Sequence, residues 1–260
     1  MTIPTLGVIF HPKFPPETLT DYARRAEAAG FEELWLWDDC FLPGAFTSAA
    51  IALASTNKLK VGIGLLPAPA YNPLFAAMEI TTLARAYPDR FMPGFGYGVA
   101  TWMTQIGAES KSPLKTLTET VRAVRKLLHG EMVTTHGERV NLDEVQMKVI
   151  PAQIPPLYIG AMREKTLRLA GREGDGTILT AMSSPAYVRW ARQHINAGMN
   201  EAGRTNHRVV VYLNVKVNSD GKIARSAMRQ ALATRLPCDS VQLNPLGIEA
   251  EMAAFIQKYS

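Results

Sequence analysis

Cysteine is nearly absent: Cys40 and Cys238 are the two in 260 residues. So few cannot form a disulfide framework, which points to a reducing cytoplasm. No signal peptide opens the chain, because Met1-Thr2-Ile3-Pro4 lacks a basic segment followed by an apolar core. Membrane helices are also missing. Three stretches carry no charge (Cys40–Asn57, Val61–Met78, Phe91–Ala108), yet Pro or Gly interrupts each. The five histidines have no ligand spacing, so no metal is expected. A Walker loop, a G-x-S-x-G elbow and a Rossmann glycine fingerprint are likewise lacking. The net charge of +5 is modest and its Lys and Arg are scattered on helices, which disfavours nucleic acid and leaves a small molecule as the expected partner.

What is present is a repeating unit. Apolar runs suited to buried strands occur at Ile3–Phe10, Leu34–Trp37, Leu59–Leu66, Phe91–Gly96, Leu157–Gly160, Gly176–Thr180, Val209–Val217 and Ser240–Leu243. Helical patterns follow, for example around Leu19, Tyr22, Ala23 and Ala26 up to Gly30, over Leu74–Tyr87, Pro113–His129 and Pro185–Ala202, and near Ile223–Leu236 and Ile248–Lys258. The alternating stretch Thr134–Val145 reads as a hairpin insertion. Eight βα units with short crossovers imply parallel strands. The expected architecture is one α/β domain over residues 1–260, a (β/α)₈ TIM barrel, for which about 250 residues is an ordinary length.

In such a barrel the chemistry lies on the loops at the strand C-termini. The three uncharged stretches coincide with the ends of strands two, three and four, placing Trp37, Phe41, Leu65, Leu66, Tyr71, Tyr97, Trp102 and Met103 around one mouth. A rim without Lys or Glu suits a flat multi-ring ligand, or else a buried contact under a loop or between subunits. Asp38 and Asp39 end strand two beside Cys40. They fit proton transfer, or a division in which one caps the following loop while the other meets solvent. Gly160-Ala161-Met162-Arg163 joins a strand to a helix and suits a phosphate. The small-residue face Ala49–Leu53 fits a homodimer contact or core packing.

These segments together resemble the luciferase-like superfamily of flavin and deazaflavin oxidoreductases. Gly30-Phe31-Glu32-Glu33-Leu34-Trp35-Leu36-Trp37-Asp38-Asp39-Cys40-Phe41 is similar to its second-strand signature. Gly62-Ile63-Gly64-Leu65-Leu66-Pro67 with Asn72-Pro73 is similar to its third strand and following helix, and Phe91–Gly98 with Trp102-Met103 to its fourth. Ile159-Gly160-Ala161, Lys165–Gly171 and Asp175-Gly176 resemble the fifth and sixth units. Within the superfamily the chain looks closest to the coenzyme F-420-dependent oxidoreductases.

The resemblance implies hydride transfer between this deazaflavin and a small organic substrate. The alternatives are an FMN-dependent monooxygenase and a non-catalytic flavin-binding barrel. It implies a cis peptide at Gly64-Leu65, forming a bulge behind the ring, and a phosphate near Gly160–Arg163. Coenzyme-binding residues would be Asp39, Gly64, Leu65, Leu66, Tyr97, Gly98, Trp102, Gly160, Ala161, Met162 and Arg163, with Asp39, Cys40 and Tyr97 near the reacting atoms. One departure stands out: Asp39-Cys40-Phe41 replaces the Asp-His-Phe of related dehydrogenases, and Val99 stands where some relatives carry an acid.

Overall fold

The computed structural model describes residues 4–236 and 241–259. The chain divides into two compact units, residues 4–160 with 173–176, and residues 161–172 with 177–259.

The first unit carries five parallel strands in the order β1 (Gly7–Phe10), β2 (Glu33–Leu36), β3 (Lys60–Pro67), β4 (Phe91–Gly96) and β7 (Tyr158–Gly160). Their registers run Phe10↔Leu36, Leu36↔Ile63, Ile63↔Pro93 and Phe95↔Ile159. Alternation along β2 sends Glu33 and Trp35 to one face, and both are buried. The Trp35 indole N–H donates to Glu33 Oε2 (3.0 Å), which satisfies the buried carboxylate. The Trp35 ring fills the space where Gly62 has no side chain and meets Tyr158 edge-on at 5.6 Å.

Helices α1 (Leu19–Ala28), α2 (Ala45–Ser55), α3 (Pro73–Ala86) and α5 (Pro113–Leu128) return the chain between strands. Gly30, at φ 84°, closes the end of α1 as its position predicts. Asn72 caps α3 through Leu74 N–H (2.9 Å). Ala49, Ala52 and Leu53 on α2 are fully buried, so that face packs into the unit's own core and carries no case for a dimer. The predicted hairpin forms as β5 (Val133–His136) and β6 (Asn141–Val145), paired antiparallel. A short helix missed by the sequence pattern, α4 (Ala100–Gln105), follows β4.

The second unit contains α6 from Glu164, β8 to Leu179, α7 (Pro185–Glu201), β9 (Arg208–Val211), α8 (Gly221–Arg235) and α9 (Glu249–Tyr259). Helices α6 and α7 cross at two glycines. A methyl at Gly171 would strike the Ile195 carbonyl and one at Gly198 the Arg168 carbonyl, so backbone meets backbone there.

Two predicted strands in this unit need correction. Val209–Val217 stops at Val211, and Leu213, Val215 and Val217 stand 67%, 70% and 92% exposed. Their alternation is strand-like, but β9 is the last strand of its sheet among the described residues, so nothing selects the extension. Of Ser240–Leu243, Ser240 lies outside the described residues, as does Cys238, and the remainder forms a turn. Gln242 is buried there, donating to Thr180 Oγ1 (2.5 Å) and the Ala181 carbonyl (3.0 Å). Tertiary hydrogen bonding of that side chain replaces a strand ladder.

Candidate functional site

In the first unit the loops after β1, β2, β3 and β4 bring the predicted mouth residues together. Asp38 and Asp39 leave β2 side by side, yet their surroundings differ. Asp38 Oδ1 accepts from the amide of Ala45, the first residue of α2 (2.9 Å), and Oδ2 accepts from the Tyr71 hydroxyl (2.7 Å). One carboxylate thus ties the β2 exit to α2 and to the β3 exit. Burial, reinforced by the Asp38 charge and hydrogen bond, holds the Tyr71 phenol far above its ordinary range.

Asp39 is half-buried. Burial pushes its carboxyl up, neighbouring His11 and Lys13 pull it down, and the Asp38 charge pushes it up, with the net shift upward. Cys40 is also part-buried; burial, then Asp38 and Asp39, raise its thiol, which favours a neutral thiol over a thiolate. The Asp pair therefore divides its roles. One sequence reading has one Asp cap the following loop and the other meet solvent; Asp38 instead accepts from the first amide of α2, and Asp39 is part-buried.

Within β3, the peptide Gly64–Leu65 is cis, where the family resemblance places it, and the register with β4 shifts between Ile63 and Leu66. Leu66 is fully buried and Leu65 half-buried, so Leu65 supplies the reachable surface. Its side chain lies across the ends of β4 and β7. A Cβ on Gly96 would stand 2.6 Å from Leu65 Cδ1, and one on Gly160 would collide with the same methyl. Gly98, at φ 72°, turns the chain out of β4 against Met103 Sδ and Pro67 Cβ, each 2.9 Å from where its Cβ would be.

Tyr97 and Trp102 are half-buried, and Phe41, at φ 70°, is 69% exposed. The Phe41 ring meets Trp102 edge-on at 6.4 Å. These surfaces are flat, apolar and uncharged. A small apolar cleft lined by Phe10, Pro12, Phe14, Leu36, Trp37 and Pro43 lies beside the β1 and β2 exits. Among the described residues no His, Cys, Asp and Glu cluster could hold a metal ion.

Two participants escaped the sequence reading. His11 follows β1, its ring 4.9 Å from that of Trp37 and its charge felt by Asp39. The signal was its place in a strand-exit loop. Tyr71 reads as an apolar wall in the sequence, whereas its hydroxyl donates to Asp38.

In the second unit Ala161, Met162 and Arg163 precede α6. The Ala161 amide pairs with the Ile178 carbonyl (3.2 Å), and the Arg163 carbonyl accepts from the Thr166 and Leu167 amides, starting the helix. Tyr187 donates to the Met162 carbonyl (2.7 Å), fixing this turn. Met162 and Arg163 are exposed and Ala161 is buried.

Parallel strands joined by helices, with a cluster of aromatic and carboxyl side chains on the strand-exit loops, define an α/β barrel of the kind that carries its active site at those exits. The profile of the luciferase-like monooxygenase family matches residues 4–258, and the chain belongs to that family. A 5,10-methylenetetrahydromethanopterin reductase of Methanolobus tindarius is 30% identical over 231 residues, covering 88% of this chain and 70% of the relative. An F420-dependent glucose-6-phosphate dehydrogenase of Kineococcus radiotolerans is 28% identical over 254 residues, 93% of this chain and 75% of the relative. Among solved structures, the coenzyme F420-dependent tetrahydromethanopterin reductase of Methanopyrus kandleri superposes with a TM-score of 0.83 at 24% identity, covering 95% of this chain and 76% of that one. An F420-dependent secondary alcohol dehydrogenase gives 0.79 at 23% identity, with 95% and 83% covered. The fold is the α/β barrel type of these enzymes, as the sequence predicts.

Proposed function

We propose that this chain is an oxidoreductase that transfers a hydride between coenzyme F-420 and a small organic molecule. The observation that carries the reading is the uncharged, aromatic-walled mouth of the first unit with a half-buried carboxyl at its edge, in a chain whose named relatives include F420-dependent reductases and dehydrogenases.

The residues fit a flat heterocycle. Leu65 covers the glycine-bare ends of β4 and β7, leaving a smooth apolar surface, and Tyr97 and Trp102 present part-exposed rings. Bound F-420 supplies the ring carbon that gives or accepts hydride. Leu65, Tyr97, Gly98 and Trp102 bind and orient that ring and keep water from it. Asp39 hydrogen-bonds to coenzyme or substrate and handles the accompanying proton. Cys40 contributes a neutral thiol beside Asp39. In the second unit, the turn Ala161–Arg163 opening α6, with the Arg163 guanidinium, suits a phosphate group.

The test is a parallel titration with F-420 and with FMN, followed by tryptophan fluorescence, since Trp37 and Trp102 report a ring entering the mouth. Micromolar binding of F-420 with FMN much weaker is the expected outcome. Preference for FMN would move the protein to the flavin monooxygenases, and binding of neither would refute the site. Tight binding with no redox turnover of any reductant or alcohol would favour a flavin carrier.

A further inference from the structure

Asp38 and Asp39 are sequence neighbours in one mouth, but their polar contacts are unlike. Asp38 is held from two sides, by the Ala45 amide at 2.9 Å and the Tyr71 hydroxyl at 2.7 Å, so both its oxygens accept hydrogen bonds. Both tethers come from elements that frame the mouth, the start of α2 and the exit of β3. Among the described residues no such clamp holds the Asp39 carboxyl, which like Asp38 is part-buried. Paired carboxyls whose environments are driven apart are the usual basis for separate acid–base roles.

We propose that Asp38 is a positioning residue, a fixed negative charge strapped to α2 and Tyr71 that reserves the neighbouring Asp39 as the carboxyl exchanging a proton with bound substrate. The inference rests on the reading of this mouth as the coenzyme site. With coenzyme bound to take the hydride of an alcohol C–H bond, the Asp39 carboxylate would accept the hydroxyl proton as the C=O bond forms. In the reductive direction Asp39 returns that proton to the carbonyl oxygen. The groups facing Asp39 are His11 and Lys13 from the β1 exit, Asp38 and Cys40 from its own loop, and Tyr71 through Asp38. The first two oppose a proton on Asp39 and Asp38 favours one, so the Asp38 charge can be isolated by substitution.

The experiment is a carboxyl ¹³C NMR titration of the full chain labelled at its eight aspartates, with Asp39→Asn assigning the Asp39 signal. Asp38→Asn keeps an acceptor for Ala45 and a partner for Tyr71 while removing the charge, and should lower the Asp39 midpoint by about 0.5–1 pH unit. Asp38→Ser, with a capping oxygen for Ala45, is a second neutral variant and should give the same downward shift. Tyr71→Phe keeps the charge and should leave the midpoint within about 0.3 unit of the wild type. An unmoved midpoint in the neutral variants, or an equal shift in Tyr71→Phe, overturns the assignment. Addition of F-420 separates this from the reading beneath it. If the Asp39 signal moves, Asp39 faces the ligand as proposed; if F-420 binds and the signal stays, its proton-exchange role is wrong. If F-420 does not bind at all, the site reading fails even where the two carboxyls prove coupled.

Discussion

Replacing Gly98 by Ala tests the geometry of the β4 exit directly. Gly98 has φ 72°, a left-handed conformation that costs an L-residue about 1–2 kcal/mol. The new methyl would also sit 2.9 Å from both Met103 Sδ and Pro67 Cβ. Met103 is flexible and can yield, but Pro67 is buried at the end of β3 and cannot, so an overpacking cost of about 1–3 kcal/mol follows. Ala recovers about 0.4–1 kcal/mol by restricting the unfolded chain. The net expected loss is roughly 1.5–4 kcal/mol, a fall in Tm of about 3–8 °C for a chain of this size. Because Tyr97 and Trp102 flank this turn, coenzyme affinity should weaken along with stability. Thermal unfolding followed by circular dichroism, with tryptophan quenching by F-420 on the same samples, reads both. A variant within about 0.5 kcal/mol of the wild type would show that neither the positive φ nor the close approach is real.

Three further outcomes are expected. Asp39→Asn should raise Tm at pH 7: the folded-state carboxyl is shifted upward, so its ionised form costs stability above that value, and the variant's advantage should vanish as pH falls through it. Equal Tm at both pH values would contradict the burial of Asp39. Glu27 accepts from the amides of Asn57, Lys58 and Leu59 at 2.6–3.2 Å. Burial alone would raise this carboxyl, but those amides and Arg90 leave it lowered, so its stabilisation is present above the ordinary Glu range and is lost as pH falls through the folded value. Glu27→Gln should cost about 1–3 kcal/mol at pH 7 in urea unfolding, with the deficit narrowing in acid. Gly198→Ala should destabilise by about 2–3 kcal/mol despite a better helix propensity, because the methyl meets the Arg168 carbonyl; a stabilised variant would mean that α6 and α7 do not touch there.

Most elements of the first unit were legible in the sequence, as were β8 and helices α7, α8 and α9 to within about two residues. The β4 span is predicted to the residue, and β1, β2 and β3 to within a few residues where described, because apolar runs bounded by Gly, Pro and Asn carry both the pleat and its ends. The cis bond at Gly64–Leu65 falls where the family resemblance places it. Legibility failed where local pattern and tertiary partner disagree. Leu213, Val215 and Val217 alternate like a strand but remain exposed, since alternation states only which side could be buried and not whether anything lies there.

The sequence by itself determined that helices and parallel strands alternate, and that three charge-free loops share one end of them. These are properties of local periodicity and composition. The tertiary structure alone decided the division of labour between Asp38 and Asp39. Two identical side chains, adjacent in the chain and both part-buried, differ because Ala45 and Tyr71, 7 and 33 residues away, bond to one of them, while the other faces His11 and Lys13. Charge and proton affinity follow from what the fold brings near, and those neighbours are distant in sequence.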